Sequence, residues 1–215
     1  MISRSDENPH VALRGKMKGA RRVAVSFRVQ TTPQRKPVPP IEPVGFVDLS
    51  LFRYLRPSPI FQSRSILVRE FLERYVAPAI TAADGALMRP ILTATREQLK
   101  WETDGKSLTL DVIRSGGGQR VGIERAFTTF LRCARVPARF VEGINLDSST
   151  RRKRVFWTEV WAKDVWWPVS ASRGWIGRRP GSYVALTWNG DRAVQAKGAI
   201  EVSYTVHVRA VEPTP

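Results

Sequence analysis

An α+β fold, helices packed on an antiparallel sheet, is predicted by two features of the sequence. Apolar residues recur at helical spacing between about 60 and 134, whereas short alternating runs joined by tight turns dominate the C-terminal third. Size agrees with this, since 215 residues give room for one domain of moderate size, or one domain plus an arm. Apolar residues make up 42% and charged residues 25%, too hydrophobic a mixture for full disorder.

The elements can be taken in chain order. Residues 1–36 read as a flexible basic arm, polar and glycine-dotted, with one strand where Val23, Val25, Phe27 and Val29 alternate. Five prolines between Thr32 and Pro43 mark an extended linker, so that 37–58 forms the Pro-rich lead-in to a domain over 59–211, with 212–215 as a tail. Ile60, Ser63, Leu67, Phe71 and Tyr75 predict a helix over about 60–76, capped at Ser58-Pro59. Ile91, Leu92, Thr95 and Leu99 predict a second helix running toward Trp101. The best-defined helix begins near Gly122. There Ile123, Ala126, Phe127, Phe130, Leu131 and Ala134 form an apolar stripe opposite Glu124, Arg125, Arg132 and Arg135. Ala138–Gly143 then reads as a strand, Val155–Trp161 and Val165–Val169 as a hairpin turning at Ala162-Lys163-Asp164, and Val202–Val208 as a last strand.

Composition narrows the chemistry. The only cysteine is Cys133 and the only histidines are His10 and His207, which leaves no intramolecular disulfide and no Cys-rich zinc site; no metal and no cofactor is expected. No apolar stretch approaches the ~18 residues of a membrane span. The opening MISRSDENPH lacks the apolar core of a secretory signal, so the expectation is a cytoplasmic protein, or an excised domain of a larger one. A net charge of +16 gives a surface potential that attracts polyanions with steep salt dependence. Nine basic side chains fall within residues 1–36, and a second knot, Arg151-Arg152-Lys153-Arg154, sits in a polar loop. A basic surface with no partner explains the same charge.

The order helix, then Leu131-Arg132-Cys133-Ala134-Arg135-Val136-Pro137-Ala138-Arg139-Phe140-Val141-Glu142-Gly143, then Trp157-Thr158-Glu159-Val160, then Trp167-Pro168-Val169, resembles the transglutaminase-like branch of the papain-like cysteine peptidase superfamily. Tyr54-Leu55-Arg56-Pro57-Ser58 and Val112-Ile113-Arg114-Ser115-Gly116-Gly117-Gly118 resemble that family's approach to its active site. The resemblance spans about residues 54–190. It implies a papain-like core and a Cys-His-Asp triad. The cysteine slot, four residues before the helix alanine Ala126, holds Gly122. The histidine slot, two residues before Trp157, holds Val155, and the aspartate slot after Trp167-Pro168-Val169 holds Ser170.

Acyl transfer through a thioester needs a thiolate, a base and a group to hold the base. Glycine and valine carry no titratable atom, so the sequence implies a substituted triad and a catalytically silent site. Three function classes remain. The first is a noncatalytic binding or scaffold module that holds a protein or peptide at the degenerate cleft. The second is a binder of RNA or another polyanion through the basic arm and loop. The third is an acyl-transfer or peptidase enzyme with a relocated nucleophile, for which Cys133 is the only thiol. Candidate binding residues are Arg151, Arg152, Lys153, Arg154, Trp157 and Trp167, since aromatics interleaved with arginine stack bases or grip acidic peptides. Core packing is the alternative for the tryptophans, and a small packed thiol the alternative for Cys133.

Overall fold

The computed structural model describes residues 2–3, 10–11, 33–35, 37–41, 43, 49–79, 87–147 and 153–189. The chain divides into two compact units, 1–30 and 31–215. In the first, β1 (Ile2–Ser3) pairs antiparallel with β2 (His10–Val11). The strands expected at Val23–Val29 and Val202–Val208, with His207, lie outside the described residues.

The second unit starts at β3 (Gln34–Arg35), followed by α1 (Leu49–Phe52) and α2 (Ile66–Tyr75). A 3-10 turn (Ala77–Ala79) and α3 (Met88–Gln98) come next. Then β4 (Lys100–Trp101), α4 (Thr109–Ser115) and β5 (Gly117–Gly118) lead into α5 (Arg120–Cys133). After it come β6 (Ala138–Asn145), β7 (Lys153–Ala162), β8 (Val165–Ser170), β9 (Trp175–Ile176), β10 (Arg178–Arg179) and β11 (Tyr183–Trp188). Five of these strands make one antiparallel sheet in the order β11-β6-β7-β8-β9. The predicted α+β class is therefore the one observed.

The Pro-rich segment is laid against the domain: Ile41 is buried and its carbonyl accepts from the Leu87 N–H, while β3 pairs with β10. The helix expected from Ser58-Pro59 begins six residues later, after Ser65. Residues 58–65 satisfy their polar groups in turns instead; the Phe61 N–H donates to Ser58 Oγ and the Ser58 N–H to Phe61 O. Pro90 sits in the first turn of α3, where its missing N–H costs no hydrogen bond.

α5 is the axis of the domain. Val68 and Phe71 of α2, Met88, Ile91 and Leu92 of α3, and Val112 of α4 pack on one side of it, with Phe71 stacked on Phe130 at 4.2 Å between ring centroids. Ala138, Val160 and Val169 of the sheet close the other side. With both sides covered, the polar positions of α5 are buried too: Glu124 and Arg132 do not face solvent, as their place opposite the stripe predicts, but lie 0% and 5% exposed. Arg132 compensates by donating from Nε to Ala138 O at 2.9 Å and from Nη2 to Asn189 Oδ1 at 2.7 Å, over the Phe61 ring. The helix stops in a reciprocal cap: the Val136 N–H reaches Leu131 O and the Arg135 N–H reaches Arg132 O, with Arg135 left-handed at φ 60°.

The far face of the sheet carries a smaller core of Val141, Val155, Trp157 and Tyr183. Alternation along β7 assigns the faces, since Thr158 and Val160 touch α5 and its surroundings while Val155 and Trp157 point away. Lys163 and Asp164, both at positive φ, form the two-residue turn between β7 and β8.

Candidate functional site

The cysteine slot, Gly122, is the third residue of α5 and is buried. Loop 105–107 lies across this first helical turn. The Gln119 N–H donates to Lys106 O at 2.8 Å, and Arg125 Nη1 donates to Ser107 O at 3.0 Å. A Cβ at Gly122 would stand 2.6 Å from Lys106 O and 2.7 Å from Val112 Cγ2. A side chain at Gly122 would collide with the Lys106 carbonyl and the Val112 side chain.

The aspartate slot, Ser170, ends β8 with no exposed surface, and its hydroxyl donates to Glu124 Oε1. Glu124 gathers four further donors. Ser172 gives its N–H (3.0 Å) and its hydroxyl (2.8 Å) to Oε1, while the Ala171 N–H and Thr158 Oγ1 each lie 3.3 Å from Oε2. Thr158 is in turn 2.9 Å from Thr128 Oγ1. Burial raises the Glu124 pKa above its ordinary value, and the hydrogen bonds from Ser170, Ser172 and Ala171 oppose that shift without reversing it. This carboxyl is the polar hub of the domain. A glutamate on a helix face otherwise marked by arginines reads as solvated, so nothing in its own position distinguishes it.

The histidine slot, Val155, belongs to the small core on the far face, 2% exposed beside Trp157. The structure therefore joins Gly122 and Ser170 through Glu124 of the same helix and turns Val155 away from both. Cys133 closes α5 half-buried, and burial, the largest influence, raises its pKa, with Arg69 lowering it and Glu73 raising it. That is the reverse of the electropositive, exposed setting that activates a thiol.

Among the candidate binding residues, Arg151 and Arg152 lie outside the described residues, and the backbone of Lys153 opens β7 opposite Asn145. Arg154 is exposed and paired with Glu142, its Nε donating at 2.6 Å. Trp157 has no exposed surface, and its Nε1 donates to Glu159 Oε1 at 3.1 Å. Trp167 is half-buried against the main core with Nε1 on Ala162 O at 2.9 Å. Trp166 and Trp188 flank the Arg139 guanidinium at 4.3 and 5.4 Å, and Arg139 pairs with Glu159 at 2.7 Å. These tryptophans thus divide between the two faces of the sheet. A depression of about 360 Å³ is lined by Pro57, Ser58, Gln62, Arg64, Ser65 and Leu110, none of them expected in a triad slot. Among the described residues no group of three or more His, Cys, Asp or Glu side chains could hold a metal, and no helix is long and apolar enough to cross a membrane.

Comparison with known proteins agrees with this architecture. Residues 75–171 match the family model of the transglutaminase-like superfamily. A protein from Cytophaga hutchinsonii described as a candidate cysteine protease shares the fold with a TM-score of 0.54 at 16% identity, the match covering 69% of this chain and 50% of that one. A structure described as a TGase aligns with a TM-score of 0.38 at 14% identity over 49% of this chain and 30% of that one. The chain thus spans about half the length of the Cytophaga protein. No curated protein matches. The stretch that matches, 75–171, runs from the end of α2 through α5 to β8, so this part of the chain is similar to the transglutaminase-like superfamily.

Proposed function

We propose that this domain is noncatalytic and works by binding. The observation that carries the reading is Gly122, where the residue in the expected nucleophile slot lacks a side chain and a Cβ would stand 2.6 Å from the Lys106 carbonyl. Val155 on the opposite face and a Ser170 committed to Glu124 support it, since nucleophile, base and orienting group act as a unit in this chemistry. Cys133 offers no replacement, because its environment disfavours the thiolate.

Assays of amine incorporation and of peptide hydrolysis are expected to show no turnover above the blank, unchanged in Cys133→Ala. Turnover lost in that variant overturns the reading. Gly122→Cys is expected to remain inactive and to destabilise the fold by about 1–3 kcal/mol through overpacking, although replacing a helical glycine usually helps by about 0.5–1 kcal/mol. A thermal melt read beside the activity assay checks both. Of the partner classes, the net charge of +16 favours a polyanion over a peptide seated in the former cleft, which the 105–107 loop fills at Gly122.

A further inference from the structure

We infer that single-stranded nucleic acid docks on the surface around the turn 171–174, with a base stacked on Trp101 and phosphates held by Arg96 and Arg173. The inference rests on the noncatalytic binding reading and names its ligand.

Three arginines from different parts of the chain meet at this turn. Arg120, from the first turn of α5, donates to Ser172 O at 3.5 Å. Arg96, from the last turn of α3, lies so close that a Cβ on Gly174 would stand 2.5 Å from its guanidinium. Arg173 is in the turn itself, its guanidinium 5.4 Å from the Tyr183 ring. Arg96 and Arg173 are exposed, and none of the three is ion-paired with a carboxylate among the described residues. Glu102, on the neighbouring loop, folds back over Gly105 and Gly117 instead of toward an arginine.

The aromatic element stands beside them. Trp101 is 53% exposed, held by the pairing of β4 with β5, and covered by the Arg120 guanidinium at 4.6 Å from the ring centroid. An indole with a cation against it and half its surface in water is a stacking platform, and unpaired guanidinia beside it bind phosphate oxygens. A duplex hides its base faces, so the indole selects single strands. The charge of the whole chain supplies the long-range attraction.

Fluorescence anisotropy of a labelled 15-nucleotide oligouridine with the full chain tests this over a salt series. Trp101→Ala is expected to weaken binding about 5- to 100-fold with its salt slope unchanged, and Trp101→Phe to recover most of the loss. The double variant Arg96→Ala, Arg173→Ala is expected to flatten the log–log salt slope by about 1.4, the share of two phosphate contacts on a single strand. Equal affinity in Trp101→Ala, a hairpin duplex bound as tightly as the single strand, displacement by polyglutamate at equal charge, or no binding at all would each overturn the inference. The activity assays above stay blank in every case, so a failure here leaves the noncatalytic reading standing.

Discussion

Glu124→Ala is expected to lower stability by about 3–5 kcal/mol, because it leaves the N–H groups of Ala171 and Ser172 and the hydroxyls of Ser170 and Ser172 buried or half-buried without their acceptor. For a domain of this size that is a drop of roughly 6–20 °C in melting temperature. The effect has a pH signature. Burial raises the folded-state pKa of Glu124 above its ordinary 4.5, so between those values the folded state holds more protons than the unfolded one. The stability this group contributes is fully present below about 4.5 and is lost as pH rises through the folded pKa. The gap between the melting curves of wild type and Glu124→Ala should therefore be widest in acid and narrow as pH rises through the folded pKa. Melts across that range decide the matter, and a gap independent of pH would contradict the assignment of Glu124 as the titrating group.

Trp157→Ala is expected to cost about 3–5 kcal/mol as well, through lost burial and the cavity left behind. The ring has no exposed surface and lies over Gly143, where a Cβ would stand 2.8 Å from ring carbon Cζ3 and closer still to Val184 O. Two consequences separate this role from ligand binding. Gly143→Ala, a single added methyl, is expected to destabilise by about 1–3 kcal/mol by pushing on the Val184 carbonyl and on the ring. Combined with Trp157→Phe, it should still destabilise, since the Val184 carbonyl stands nearer to the added methyl than the ring does. A Trp157→Ala protein that melts within 2 °C or so of wild type would place the side chain outside the core.

How much of the fold and site is legible in the sequence depends on the kind of residue. The stripe on α5 and the alternation in β6, β7 and β8 predict those elements to within a few residues, because apolar spacing there is set directly by burial. The start of α2 is misplaced because Ser58-Pro59 has the chemistry of a cap, whereas the tertiary packing of Phe61 and Ser63 takes that stretch into turns. β11 gives no signal at all. Its half-buried residues and the irregularity between Ala185 and Thr187 break the alternation that identifies a strand. At the site, Gly122, Val155 and Ser170 can be picked out by position as the slots that the resemblance implies, but the crowding at Gly122 depends on Lys106, sixteen residues upstream. The role of Glu124 depends on a turn more than forty residues downstream. Contacts of that range leave no local pattern.

The strand order has a kinetic consequence. β6, β7 and β8 pair with sequence neighbours, and the β7–β8 turn is preset by Lys163 and Asp164, so this meander closes only short loops. β11 must return past β8, β9 and β10 to reach β6 on the opposite side, with Tyr183 meeting Asn145 across 38 residues. Closing so long a loop carries an entropic cost that the short hairpin does not. The seating of Tyr183 against Trp157 is thus expected to be a late folding event, and near-ultraviolet signals from those rings should lag behind the formation of the meander.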